Sequence, residues 1–325
     1  MNRYKHGTAT SRDAAAACSL TVHQPPLMST SGHPASDLTP RENFERDGYF
    51  VCRGVLSPAR VAELAAASDA LLAEQSPAHF KDHVTSGSMV MIDWQLFNRH
   101  PAFAELVVDP GVVAALASLG FTQPKFGHGR VISKPPHSPQ LDWHRDGRYW
   151  NDPTARTPQP RQVFLMFYLV DTTATNGCLR VVPKSHLQKH PIDDLLQRSA
   201  STRLFQNPEY PGFGHAEGEV DVPLRAGDFV AGYAELLHST HANCSDKRRT
   251  CLTMWYYPDF VNLPERSRAT IMRAETEPDK GGSQLASLRV PELANKLAPF
   301  EICYDGQEQP YESSSKVPFA LPTRL

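Results

Sequence analysis

Residues 141–150 read LDWHRDGRYW, and the decisive pair, His144 and Asp146, sits at the centre. Side chains two apart in an extended segment point to one face. One imidazole and one carboxylate can therefore aim at a single point. These are two of the three groups of a 2-His-1-carboxylate facial triad, the set that holds non-haem Fe(II) and leaves coordination positions open. The pair alone is not diagnostic. A chain with 14 histidines and aspartate at about 5% carries roughly 0.7 such pairs by chance. A surface histidine beside an aspartate is the plain alternative. The rest of the chain has to supply a third ligand, a cosubstrate anchor and a scaffold.

The scaffold can be read on both sides of this stretch. From Lys125 onward, short β-prone runs are separated by Pro, Gly, Asn and Asp clusters, at 129–133, 163–170, 179–182, 220–224, 229–233 and 251–257. This punctuation predicts an all-β sandwich or barrel. The run VFLMFYLV at 163–170 is apolar on both faces, which predicts a central, fully covered strand. Before Lys125 the pattern is helical. Thr39, Pro40 and Glu42 form a capping box that opens a helix ending at Asp47-Gly48. Residues 49–55 are β-prone. Ser57-Pro58 opens a second helix with Val61, Leu64, Ser68, Leu71 and Leu72 on one stripe. Asp109-Pro110 opens another, with Gly120 as its stop. The run MVMIDWQLF at 89–97 suits either a strand or a pocket wall. The expected organisation is a polar tail at 1–37 and one domain over 38–325. That domain divides into a mainly helical part at 38–124, a β core at 125–260 and wrapping segments at 261–325, with 280–283 a loop.

Composition narrows the class of protein. The net charge of −2 gives no electrostatic case for nucleic acid or an anionic membrane. No apolar run is expected to reach the roughly 18 residues that a membrane span needs. The six cysteines form no CxxC pair and read as reduced thiols in a cytoplasmic protein. The terminal Thr-Arg-Leu is a weak pointer to the peroxisome.

A third ligand appears in LLHSTHANCSDKRRT, residues 236–250. His238 falls at the end of a predicted strand, which suits a distal ligand. Arg249 follows eleven residues later at the start of the next. If those strands are antiparallel neighbours, the loop returns Arg249 close to His238, where a guanidinium would pair with a carboxylate of a metal-held ligand. His241 competes with His238, and Arg248 with Arg249. His137, His186 and His215 read as loop or capping residues.

Four segments, ISKPP (132–136), LDWHRDGRYW, NGCLRVVPKSH (176–186) and HSTHANCSDKRR (238–249), together resemble the phytanoyl-CoA dioxygenase family, as does DGYFVCRGVLSPARVAEL (47–64). The similarity runs from Phe44 to Phe260. It implies a double-stranded β-helix, or jelly roll, with flanking helices. It also implies an Fe(II)/2-oxoglutarate-dependent dioxygenase consuming O2 and giving succinate, most simply a hydroxylase of a small-molecule metabolite in specialised metabolism. Carried over by position, His144, Asp146 and His238 are metal ligands. Arg249 clamps the distal carboxylate of 2-oxoglutarate with help from Thr240, and Arg130 and Met166 line the cosubstrate site. Spacing to Asn243 and Arg249 favours His238 over His241. Trp143, Arg148, Tyr149 and Trp150 are candidates for the substrate cavity, with core or rim positions as the plain alternative. The family has Gly where Lys184 stands. A carboxylate at Asp146 argues against halogenation, while desaturation, epoxidation and rearrangement use the same centre. A cupin-type metalloprotein without oxygenase activity and a non-catalytic binding protein are the remaining classes.

Overall fold

Local signals set the helices that precede the sheets. In the computed structural model, which describes residues 38–81, 88–93, 100–146, 159–194, 211–276 and 290–310, Thr39 caps α1 (Pro40–Asp47) reciprocally. Its hydroxyl accepts from the Glu42 N–H, and its own N–H donates to the Glu42 carboxylate. Gly48, at φ 82°, ends the helix in the left-handed region. Ser57 accepts from the Arg60 N–H to open α2 (Pro58–Ala73), which buries Val61, Leu64, Ala67, Ser68, Leu71 and Leu72. The next helical segment corrects an expectation. Pro101–Ser118 has a mean hydropathy of 1.4 over 18 residues and is, by length and composition, apolar enough to cross a membrane. It is divided into α3 (Pro101–Val107) and α4 (Pro110–Ser118) by Asp109, which caps α4. Phe103, Leu106, Val107 and Val112 lie in the protein's main core.

Two antiparallel sheets follow. The large one contains β1 (Tyr49–Cys52), β2 (Val90–Asp93), β3 (Lys125–Lys134), β4 (Val163–Tyr168), β7 (Phe229–Tyr233) and β9 (Arg249–Tyr257), in the order β1-β7-β4-β9-β3-β2. The small one contains β5 (Leu179–Val181), β6 (Val220–Val222) and β8 (His238–Thr240), in the order β6-β5-β8. The segment around His144 joins the free side of β8 through an antiparallel bridge, His144↔His238. From β3 to β9 the chain passes back and forth between the sheets, with β5 and β6 consecutive in the small one, and this is the double-stranded β-helix. β4 is buried along its whole length, as its doubly apolar sequence predicts, because it lies between β7 and β9 and is covered on both faces.

The structure settles several local readings. Residues 90–93 are an edge strand paired with β3, and 94–99 lie outside the described residues. His238 begins a strand rather than ending one. β8 and β9 are not neighbours: they belong to different sheets, and the loop between them crosses from one to the other. Arg249 is thus brought to the interior by sheet stacking, not by strand pairing. Beyond β9, α5 (Glu265–Thr276) packs Ile271 with Tyr257, Phe260 and Ile302, and α6 (Ala294–Leu297) follows. The tail at 1–37 and the loop at 280–283 fall outside the described residues. Cys52, Cys178, Cys251 and Cys303 are free thiols. Cys244 is disulfide-bonded, contrary to the reading of six reduced thiols.

Candidate metal centre

Backbone pairing brings the three candidate ligands together. His144 and His238 exchange N–H···O bonds of 3.0 Å each, and the Asp146 N–H donates to the Ala234 carbonyl at 2.7 Å. Their imidazole centroids are then 4.2 Å apart. His144 Nε2 lies 3.7 Å and His238 Nε2 3.8 Å from Asp146 Oδ1. All three donor atoms lie within 4.8 Å of one another.

The orientation of each ligand is fixed from behind. His144 Nδ1 sits 3.0 Å from the Asp142 carbonyl and His238 Nδ1 2.9 Å from the Leu236 carbonyl. A carbonyl only accepts, so each Nδ1 carries a proton and each Nε2 is the atom turned toward the centre. The Trp255 indole N–H donates to Asp146 Oδ2 at 2.9 Å, leaving Oδ1 to face the imidazoles. Burial, reinforced by the neighbouring His144, pushes His238 down to about 4, so it is neutral. Burial alone would raise Asp146. The adjoining His238 and His144, the Trp255 N–H and Arg130 outweigh it and hold the carboxyl below its usual range. A divalent cation requires neutral imidazole and ionised carboxylate ligands. The Phe164 ring packs 5.0 Å from His238. It reaches there because Gly232, opposite it in the register, has no Cβ to overlap the ring. Between the ligands, Arg145 turns the other way. It makes a bidentate pair with Asp193, at 2.9 and 2.8 Å, and donates to the Ser185 and Glu235 carbonyls.

Register defines the floor beside this centre. Rows across β3, β9 and β4 read His128–Trp255–Phe164, Arg130–Thr253–Met166 and Ile132–Cys251–Tyr168, and end at Lys134–Arg249. Trp255 faces the centre, so alternation turns Thr253, Cys251 and Arg249 the same way. Arg249 is buried. One of its nitrogens, Nη1, donates to Cys251 Sγ at 3.2 Å, and its guanidinium carbon lies 5.5 Å from the Tyr168 ring centroid. Its Nε and Nη2, with Thr240 Oγ1, Thr253 Oγ1 and the Tyr168 hydroxyl, have no hydrogen-bond partner among the described residues. A buried guanidinium left unpaired is costly, so these donors fit an anion. Lys134 is not a second such cation. Burial, and then Arg249, lower it well below its ordinary range, and its amine is spent on the Pro139 and Ser88 carbonyls.

The remaining candidates sort cleanly. His241 points away, with Nε2 2.6 Å from Asp221. His137, His186 and His215 bond to Asp246, the Glu45 carbonyl and Glu219. Arg248 lies over Phe80. Arg130 and Met166 stand on the inner face, Arg130 with its guanidinium 6.0 Å from the Trp255 ring. Trp143 is not a cavity residue. It alternates outward from His144 into a small core with Val182, Ile192, Ala216 and Leu237, and its indole N–H is bonded to Gly214. Arg148, Tyr149 and Trp150 lie outside the described residues. Trp255, Thr253, Cys251 and Tyr168 were not foreseen; counting by twos along β9 from Arg249 would have found the first three. A cleft of about 320 Å³ bounded by Arg41, Phe44, Gly120 and Asn262 contains none of the ligands.

Comparison with known proteins adds to the geometry. The profile of the phytanoyl-CoA dioxygenase family matches residues 44–251. Phytanoyl-CoA dioxygenase domain-containing protein 1 of Mus musculus is 26% identical over 179 residues, 51% of this chain and 56% of that protein. The chain thus spans just over half the length of that relative. Ectoine dioxygenase of Sphingopyxis alaskensis is 27% identical over 212 residues, 62% of this chain and 69% of its own. Among solved structures, the non-heme alpha ketoglutarate dependent epimerase SnoN and carbocyclase SnoK from nogalamycin biosynthesis superpose with TM-scores of 0.50. Their identities are 23% and 22%, over 67% of this chain and 80% and 82% of theirs, a likeness of fold alone.

Proposed function

The chain belongs to the phytanoyl-CoA dioxygenase family, and we propose that it is an Fe(II)/2-oxoglutarate-dependent dioxygenase that hydroxylates a C–H bond of a small-molecule metabolite. 2-Oxoglutarate would be decarboxylated to succinate in the same turnover. One observation carries the reading: a His-Asp-His donor set shares its interior with a buried guanidinium whose Nε and Nη2 lack protein partners among the described residues. A metal site without a diacid cosubstrate has no use for that cation.

In this reading His144, Asp146 and His238 hold the iron, which supplies the one-electron and O2 chemistry when bound. Arg249 and Thr240 seat the distal carboxylate of 2-oxoglutarate, with the Thr253 and Tyr168 hydroxyls as further donors. The Asp142 and Leu236 carbonyls keep each imidazole turned inward, and Trp255 holds Asp146 to one free oxygen. Phe164 and Met166 form an apolar wall that excludes water.

The test is succinate formation from 2-oxoglutarate with Fe(II) and ascorbate, together with a metabolite screen by mass spectrometry. Product mass separates oxygen insertion from desaturation and from rearrangement. His238→Ala and Asp146→Ala abolish turnover while circular dichroism remains that of the parent. Near-normal turnover in either variant overturns the ligand assignment. Arg249→Ala raises the apparent KM for 2-oxoglutarate far more than that for the primary substrate.

A further inference from the structure

A second trio of side chains, on the opposite face of the small sheet, also gathers metal-ligand atoms within 4.8 Å of one another: Cys178, Asp221 and His241. The topology puts them there. β5 lies between β6 and β8, with Leu179 opposite Thr240 on one side and Val222 on the other. One step back along β5, Cys178 stands across from His241, whose N–H donates to the Cys178 carbonyl at 3.1 Å. Asp221 is the diagonal neighbour from β6. Alternation sends His238, Thr240, Leu179 and Val181 to the interior. It sends Cys178, His241 and Asp221 to the other side.

Depth is graded across the trio. The Cys178 side chain is fully buried. The His241 and Asp221 side chains are 26% and 44% exposed, with Nε2 2.6 Å from Oδ1. A thiol therefore lies at the base, with an imidazole and a carboxylate at the rim.

We propose that Cys178, Asp221 and His241 form a second cation site, taking a borderline-soft divalent ion such as Zn²⁺ or Co²⁺. Three protein ligands of mixed S, N and O character, with a fourth position left to solvent, suit a tetrahedral ion of this class. Mg²⁺ and Ca²⁺ take oxygen ligands and have no use for the sulfur. The charges close. The ion displaces one proton from the Cys178 thiol to solvent and meets one thiolate, one carboxylate and one neutral imidazole, leaving the site neutral. It replaces the hydrogen bond between His241 and Asp221. The site is chemically distinct from the His144-Asp146-His238 centre, which contains no sulfur, and its binding does not depend on the activity proposed there.

The experiment is a Co²⁺ titration of the full chain, read by equilibrium dialysis and by the near-ultraviolet thiolate-to-Co²⁺ charge-transfer band. The His144-Asp146-His238 centre has no thiolate, so the band reports only a sulfur site. The expected result is two Co²⁺ per chain, with the band growing in and then lost to competing Zn²⁺. Cys178→Ser removes the band. The rim variants His241→Gln and Asp221→Asn, which leave the buried base untouched, weaken the second Co²⁺ by more than about tenfold, since loss of an outer-sphere partner alone has that effect. Succinate formation in these rim variants is unchanged. One Co²⁺ per chain without a band overturns the proposal. So does a band that survives both Cys178→Ser and His241→Gln, which would assign it to another thiol.

Discussion

Trp255 shows what a single side chain contributes to the candidate metal centre. Its N–H occupies one oxygen of Asp146, and its ring is stacked at 4.5 Å on His128, which in turn contacts Glu275. Trp255→Phe keeps the ring and loses the donor. Metal affinity then falls about 10- to 100-fold, measured by Fe(II) or Co²⁺ titration, with little change in melting temperature. Lys184 offers the opposite case. It sits at φ 68°, a conformation that suits glycine. Lys184→Gly stabilises the chain by up to about 1 kcal/mol, read from the urea midpoint. The pairing of His144 with Asp146 could be read in the sequence because their spacing is local, whereas His238 stands far along the chain and was chosen over His241 through the family resemblance. Trp255 could not be read, because its contact with Asp146 spans 109 residues and depends on the stacking of two sheets.

Among the elements, legibility followed the strength of local signals. α1 and α2 could be read from their caps, and β4 from its apolar run. β8 could not, since three residues are too few to show a period. The pairing assumed for β8 and β9 failed for the same reason. Two contacts between elements make predictions. Gly232 of β7 admits the Phe164 ring from β4, and an added Cβ would overlap it. Gly232→Ala drives that ring toward His238, costing about 1–3 kcal/mol of stability and most of the succinate formation. Asp228, just before β7, accepts from the Gly54 and Arg225 N–H groups and from Arg53. Burial would raise its carboxyl, but these donors prevail and lower it. Its contribution is therefore fully present above the ordinary aspartate value of about 4 and is lost as pH falls through the lower folded value. Asp228→Asn flattens that part of the acid limb in urea midpoints taken across pH.

For the whole molecule, acid stability also reflects His186, pushed from 6.5 to about 4 mainly by burial. A lowered folded value means that the folded state disfavours the protonated form. Stability is full above 6.5 and declines as pH falls toward 4. The melting temperature follows that decline, and a flat profile across this window would contradict it. Fe(II) and 2-oxoglutarate together raise the melting temperature of the parent chain, and a chelator reverses the gain. That coupling is absent in Arg249→Ala for the 2-oxoglutarate increment alone.

The shortness of β8 has a further consequence. Its two faces hold different chemistry, His238 and Thr240 within and Ser239 without, and a one-residue slip turns every side chain to the wrong side. A codon lost at Ser239 would leave Thr240 where no inward group is wanted and swing the His241 ring toward the place of a hydroxyl. No substitution nearby repairs such a frame. Descendants of this chain can exchange letters on the outward side of these few positions, but their number is not free to drift.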